Sequence, residues 1–309
     1  MAHEAPIVDT DHAQRWREGR AYYQERGRAF VAERYGVELL PGRKTAAAFV
    51  RTHHYLRSFV ASRVCVGLYE SRGPFFAPEL VGVAAFSVPG SQASLPRWAP
   101  GLTADDGVNL GRFVLLDHVP YSAETWFLTR AFRVLRAVLP EIWVVLSYSD
   151  PLARNDEDGR VLTPGHFGAI YQRKEALHLG RTEPHYCHFD ARGCMVDDRS
   201  LSKVRALDRD DKRKSKGGAA YARHLITRGA PARRFLESHT DWVKRALDEG
   251  PFHKVKHPGN FVYLFGADGT GTIEEAALLK QGARKIPAGV LLPGPTRLPY
   301  PTRADLVAA

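Results

Sequence analysis

Cysteine is scarce in this sequence. Cys65, Cys187 and Cys194 are the only three, an odd count without the paired short spacing of a zinc ribbon. That excludes a disulfide-stapled scaffold and points to a reduced compartment. No apolar run approaches the ~20 residues of a membrane-spanning helix, and no secretory apolar core opens the chain. The expectation is a cytoplasmic protein with no membrane partner. Internal repeats and low-complexity tracts are missing too, which sets aside repeat architectures. Acidic residues are in deficit, with 34 Asp and Glu against 44 Lys and Arg, a net charge of +10 and a pI near 9.6. Such a balance points to a polyanionic partner, nucleic acid first, with a merely solvated basic face as the alternative.

What is present suits a globular chain of 309 residues, 44% of them hydrophobic, enough for one large core or two modest ones. The most informative stretch is Val144-Val145-Leu146-Ser147-Tyr148-Ser149-Asp150-Pro151. From Ile142 to Leu146 it is continuously apolar and β-branched, as in a strand buried on both faces of a partly parallel sheet. Asp150 then stands at the carboxyl end, where open α/β sheets bind ligands, and Pro151 ends the strand. Residues 152–164 read as a surface insertion. Gly165-His166-Phe167-Gly168-Ala169-Ile170-Tyr171-Gln172 returns the chain as the opening of a short helix. Taken singly, Asp150 also suits a turn former and Tyr171 a core tyrosine.

Together, Ser147-Tyr148-Ser149-Asp150 and the segment from His166 to Gln172 resemble the hallmark of the Mom family of phage DNA-modification proteins. His54-Tyr55, Leu80-Val81-Gly82-Val83-Ala84 and Leu110-Gly111-Arg112-Phe113 agree in order and rough spacing, as do Ser200-Leu201-Ser202-Lys203, Tyr221-Ala222 and the segment from His257 to Tyr263. The resemblance covers roughly residues 45–266. It implies an α/β fold with a GNAT-like mixed central sheet flanked by helices. It also implies an enzyme that adds a carbamoylmethyl group to the exocyclic amine of adenine in double-stranded DNA, protecting phage DNA from host restriction. The residues similar to the family's functional set are His54, Tyr55, Arg112, Asp150 and Tyr171, with Thr125 where a serine is usual. Asn109 stands where the family often has Glu, and the insertion after Asp150 is longer than usual.

The remaining organisation follows in order. Residues 1–40 read as an N-terminal helical extension, its helix-favouring part at 14–35. Residues 41–266 form the catalytic domain and 267–309 a tail that wraps the surface or is disordered. A helix is expected over 45–60, strands over 64–70 and 79–88 joined by a Gly73-Pro74 turn, and a further strand over 108–116. The next helix starts near 121–125 with Ser122 as N-cap and runs to Val138. In GNAT enzymes the amino end of this helix holds the donor pyrophosphate. Ser122 and Thr125 are therefore the candidate residues for an acyl-CoA donor, although Pro120-Tyr121-Ser122-Ala123 replaces the usual glycine-rich loop. Strands at 176–181 and 185–189 extend the sheet. His185, Cys187 and His188 do not converge on one strand face, so at most two of them meet a metal. Residues 199–216 form a flexible basic arm in which Lys203, Arg205, Lys212, Arg213, Lys214 and Lys216 are candidates for phosphate contact. Helices at 219–228 and 239–248 and strands at 253–256 and 260–265 complete the domain.

The amine of adenine is a weak nucleophile, so a catalyst must remove its proton as the bond forms. Asp150 is the candidate base and Tyr171 the candidate acid. Arg112 pairs with Asp150 or holds a phosphate or acyl oxygen, and a structural ion pair is its alternative. His54 and Tyr55 stack on or hydrogen-bond the base, which must be flipped out of the duplex. An imidazole, a carboxylate and a phenol are also ligands for iron, a metal to which the family has been linked. Two other classes stay open: a conventional acetyltransferase acting on a small-molecule or protein amine, and a DNA-binding protein without catalysis.

Overall fold

The computed structural model describes residues 12–17, 20–25, 29–99, 101–156, 158–209, 211–267, 299–301 and 303–308. In chain order, the elements begin with β1 (His12–Arg17), β2 (Arg20–Glu25), β3 (Tyr35–Leu39), α1 (Arg43–His53), β4 (Ser62–Glu70) and β5 (Glu79–Ser87). They continue through α2 (Ser94–Trp98), β6 (Gly107–Leu115), α3 (Ala123–Val138), β7 (Val144–Ser149), β8 (Leu152–Asn155), β9 (Val161–Thr163) and α4 (Ala169–Arg173). The last are β10 (Leu177–Arg181), β11 (His185–Asp190), α5 (Asp198–Arg205), α6 (Gly218–Thr227), α7 (His239–Glu249), β12 (Phe252–His257), β13 (Phe261–Gly266) and β14 (Val307–Ala308). Two compact units result. The first holds the described residues of 1–153, 163–183 and 259–308, the second those of 154–162 and 184–258.

The first unit is built on a seven-stranded mixed sheet in the order β10-β13-β7-β6-β5-β4-β3. Alternation along β4 sends Val64, Val66 and Leu68 to the face covered by α3, and Cys65 to the face covered by α1. Helix α3 buries Phe127, Leu128, Ala131, Phe132 and Leu135, the i, i+3, i+4 stripe of a helix lying on a sheet. Phe132 meets Phe86 and Phe265 with centroids 5.9 and 5.3 Å apart. The apolar run that ends at Leu146 forms β7, parallel to β6 and antiparallel to β13, and is buried on both faces.

One irregularity shapes this sheet. Against β5, Leu110 opposes Phe86 and Arg112 opposes Ala85, which leaves Gly111 as an extra residue, a β-bulge. A side chain at Gly111 would come within 2.7 Å of Ser87 Oγ, so glycine suits the bulge here. The bulge shifts the alternation by one: Val108, Leu110, Phe113 and Leu115 all face α3, and Val114 faces α1. The parallel pairing of β6 with β7 covers Gly107–Asn109 with Val144–Leu146 only. Beyond it the two strands are not paired with each other, because a bulge bends its strand and increases its twist.

Several expectations are corrected. The described residues of 14–35 form no α-helix: β1 and β2 make an antiparallel hairpin, a 3-10 turn follows at Ala32–Arg34, and β3 adds an edge strand to the sheet. The aromatic residues Trp16, Tyr22 and Tyr23 in this part suit strands better than its charge suggests. The 152–164 insertion is not only surface. It carries β8 and β9, buries Leu152, Arg154 and Thr163, and receives β14 alongside Leu152 and Ala153. Of the later strands, β10 and β13 extend the sheet, whereas β11 pairs with β12 in a separate ribbon. The part of the tail that is described lies against the first unit. His178 Nδ1 bonds the Pro299 carbonyl at 2.6 Å, and the Tyr300 hydroxyl donates to the Ala176 carbonyl at 2.9 Å.

The second unit packs α5, α6 and α7 with the β11–β12 ribbon around Val204, Leu225, Trp242, Val243, Ala246 and Phe252. The basic stretch 199–216 is therefore not an arm. Leu201 and Val204 of α5 are buried in this core, and the following turn is capped by Asp211, whose Oδ1 accepts the Arg213 and Lys214 N–H groups. Lys203 and Arg205 are half-buried, and Lys212, Arg213, Lys214 and Lys216 are exposed. Asp190 and Arg228 form a buried pair at 2.8 Å, and Arg228 Nη2 also reaches the Cys194 carbonyl at 2.6 Å. Asp208 accepts the His239 and Thr240 N–H groups at 2.7 and 2.8 Å, an anion on the first turn of α7. Burial opposes the charge on Asp208, but these bonds and those from the Thr240 hydroxyl and the His239 ring hold its carboxyl well below the usual range.

Two outcomes follow from these groups. Asp190→Ala leaves a buried guanidinium unpaired and should cost about 3–5 kcal/mol in urea unfolding. A depressed carboxyl contributes stability above its ordinary value of 3.8 and loses it as pH falls below. The difference in melting temperature between the wild type and Asp208→Asn should therefore be full at pH 6 and shrink toward pH 2.

Candidate active site

The C-terminal edge of the sheet, where β6 and β7 part, carries most of the polar groups singled out in the sequence. Asp150 follows β7 directly. Its Oδ1 accepts the Leu152 N–H at 2.9 Å, and its carbonyl accepts the His166 N–H at 2.8 Å. This Asx-type turn around Pro151 ties the end of β7 to the segment that leads into α4. The His166 ring meets Tyr171 edge-on at 6.4 Å, so Asp150, His166 and Tyr171 form one neighbourhood.

Tyr171 is buried on the α3 side of the sheet. Ser147 and Ser149 are the small residues of β7 on that side, and Tyr263 and Phe265 of β13 pack on the Tyr171 ring at 5.3 and 5.7 Å. Gly168 makes this packing possible. Its φ is +78°, and a Cβ there would lie 2.6 Å from the Tyr263 ring and 2.9 Å from Tyr171. Gln172 Nε2 donates to Tyr263 Oη and to the Phe167 and Pro301 carbonyls, while the Tyr263 hydroxyl donates to the Phe167 carbonyl. Burial raises the Tyr171 phenol above its ordinary value, with the Ser147 hydroxyl opposing and Glu124 adding to the shift. At neutral pH it is a proton donor.

Arg112, Tyr55 and His54 belong to the other face, that of α1. The bulge at Gly111 turns Arg112 toward that side, where Nε and Nη2 donate to the Ser58 carbonyl and hydroxyl at 2.8 Å. His54 is the C-cap of α1 and is buried, and its ring stacks on Tyr55 at 4.4 Å and 24°. The Leu56 N–H donates to His54 Nδ1 at 3.1 Å, which makes Nε2 the protonated end of the neutral ring. The predicted catalytic residues thus do not form one cluster: Tyr171 lies on the α3 side of the sheet, Arg112, His54 and Tyr55 on the α1 side, and Asp150 at the end of β7 between the two elements it ties together. Among the buried polar atoms on the parted strands, Asn109 Oδ1 of β6 and Ser149 Oγ of β7 have no hydrogen-bond partner among the described residues.

The residues expected to hold a donor pyrophosphate do not form a cradle. Ser122 occupies the N-cap of α3 in αR conformation without a side-chain cap bond, and Thr125 Oγ1 donates to the Ser122 carbonyl at 3.4 Å. The Ala123 and Glu124 N–H groups are already used by the Pro120 and Tyr121 carbonyls, and Glu124 puts an acid in the first turn, against an anion there. Among the described residues no three His, Cys, Asp or Glu side chains converge as metal ligands. Gln172 and Tyr263 are the site neighbours that the sequence did not mark, since only the tertiary structure brings them against Tyr171.

A mixed sheet opened by a bulged strand, with a carboxylate and a buried phenol at its carboxyl edge, defines an α/β protein with a polar site at the sheet's open end. The chain belongs to the Mom protein family, whose model matches residues 37–235, more than half of the sequence. At the level of the family it is a phage DNA-modification protein. Among curated proteins, none matches the chain. No helix among the described residues is long and apolar enough to cross a membrane.

Two measurements check this site. Gly168→Ala should lower stability by about 2–4 kcal/mol, because it combines a left-handed backbone with overpacking against two rings. In an ultraviolet pH titration Tyr171 should ionise above the ordinary value of 10, together with Tyr148, which burial pushes up to about 12 against the pull of Arg97. Tyr171→Phe should remove one late-titrating phenol and ease the ionisation of Tyr263, which Tyr171 helps to raise.

Proposed function

We propose that this protein is a transferase that converts adenine in duplex DNA to N6-carbamoylmethyladenine and so protects the DNA from restriction. The observation that carries the reading is a carboxylate at the end of β7, Asp150, whose carbonyl is hydrogen-bonded to the segment that carries a buried phenol, Tyr171. The lone pair of the adenine amine is delocalised into the ring, so its attack needs a proton acceptor. In the proposal the amine nitrogen forms a bond to the donor's carbon while Asp150 takes the amine proton. The bond from that carbon to the leaving group breaks, and Tyr171 supplies the proton the leaving group needs. Arg112 holds an oxygen of the DNA or donor, and the stacked His54–Tyr55 pair receives the base once it is extruded from the helix. No step is routed through coenzyme A, since the amino end of α3 does not fit a pyrophosphate, and none through iron.

Charge supports DNA as the substrate. The second unit alone holds 19 Lys and Arg against 13 Asp and Glu. Exposed Lys212, Arg213, Lys214 and Lys216 suit phosphate contact, which supplies affinity without sequence choice.

Nucleoside mass spectrometry of DNA from cells producing the protein should reveal the adenine adduct. Asp150→Asn keeps the oxygen that accepts the Leu152 N–H, so it should fold and bind DNA while losing about 10²–10⁴-fold in modification rate. Tyr171→Phe should behave alike, and near-wild-type activity in either variant would remove that residue from the mechanism. Neutralising Lys212, Arg213, Lys214 and Lys216 together should flatten the salt dependence of binding, by about 0.9 in log–log slope for each phosphate that is no longer neutralised. An unchanged slope would take these residues out of the interface.

A further inference from the structure

In the second unit two large apolar side chains stand almost wholly in solvent: Phe235 is 93% exposed and Leu236 85%. They form the tip of the turn between α6 and α7. Neither contributes burial to the fold, yet the turn that displays them is tightly held. The Glu237 carboxylate accepts Arg245 Nε and Nη2 at 2.7 and 2.8 Å and the Arg234 N–H at 2.8 Å. Arg245 Nη2 also reaches the Ala232 carbonyl at 2.9 Å, Trp242 Nε1 donates to the Pro231 carbonyl at 2.8 Å, and Arg233 donates to the Glu237 carbonyl.

Leu236 itself has φ +60°, a conformation that favours glycine. A leucine there works against the backbone and exposes apolar surface to water. Such a residue persists where the surrounding structure over-determines it, and positions of this kind cluster at binding sites.

Two arginines precede the tip. Arg233 is exposed, and Arg234 is 69% exposed with its guanidinium 3.8 Å from Glu249. We propose that Phe235 and Leu236 are a wedge that enters between base steps of duplex DNA while Arg233 and Arg234 hold the flanking phosphates. Phe and Leu are among the side chains that unstack base steps and kink a duplex, and a rigid tip loses little freedom on insertion. The charge of this unit selects a polyanion over an apolar protein surface. The inference rests on the reading of DNA as substrate. It adds that the protein deforms the duplex it binds, which lowers the cost of extruding a base nearby.

The test uses the full chain and a duplex of about 25 bp labelled at both ends for energy transfer. Phe235→Ala should bind about tenfold or more weakly, the scale of one aromatic–base stacking interaction, and should bend the duplex less. Its salt slope should stay as in the wild type, whereas Arg234→Gln should lower the slope by about one. Leu236→Gly should melt at the same temperature as the wild type or higher, because it relieves the backbone, and should still bind DNA less tightly. Wild-type affinity and bending in both tip variants would overturn the wedge while leaving the functional reading intact. A wild-type self-association that disappears in Phe235→Ala would overturn it in favour of contact between copies of this chain. A wild type that binds no duplex DNA at all would sink the functional reading, and the wedge with it.

Discussion

The bulge at Gly111 is the constraint on which the first unit depends. One extra residue in β6 ends its pairing with β7 after Asn109 and moves every later side chain of the strand to the opposite face. Glycine suits the position, because a Cβ there would push against the Ser87 and Val60 side chains. Without the extra residue, Arg112 would share a face with Val108 and Leu110 under α3. With it, Arg112 reaches Ser58, which follows α1. The same irregularity opens the sheet at the edge where Asp150 emerges.

Tyr171 depends on a second set of close approaches. Small residues on β7, a left-handed glycine at 168 and the Tyr263 ring enclose it, and Gln172 sews this cluster to Pro301 near the other end of the chain. The same burial that packs the ring raises the phenol above its ordinary value, since removal from water disfavours the phenolate. The depressed carboxyl of Asp208 has the opposite origin, a set of donors that outweighs desolvation.

The two units differ in character. The first holds Asp150 and the buried Tyr171 at an open sheet edge, and the second carries an excess of basic charge with exposed Lys212, Arg213, Lys214 and Lys216. Lys203 and Arg205 illustrate the limit of reading charge from composition: both are basic and both lie on a helix whose other face is buried. Their neighbours from Lys212 to Lys216 are the ones that face solvent.

Much of the central architecture was legible in the sequence. The apolar run ending at Leu146, the alternation in β4 and β5 and the stripe of α3 each encode local structure through a period of 2 or 3.6 residues. That signal does not depend on distant partners. The sequence alone did not determine the strands at 12–25, where charge masked a strand preference, or the pairing of β11 with β12 outside the central sheet. Nor did it reveal that residues 199–205 form a packed helix, because their apolar stripe is only two residues wide. Tertiary structure decided where Arg112 points, since a bulge is a mismatch between two strands and leaves no trace in either one alone. It also decided that the Ala123 and Glu124 amides of α3 are already taken and that Tyr171 packs on Tyr263. These are distances between residues far apart in the chain, and the periodicity of a sequence carries no record of them.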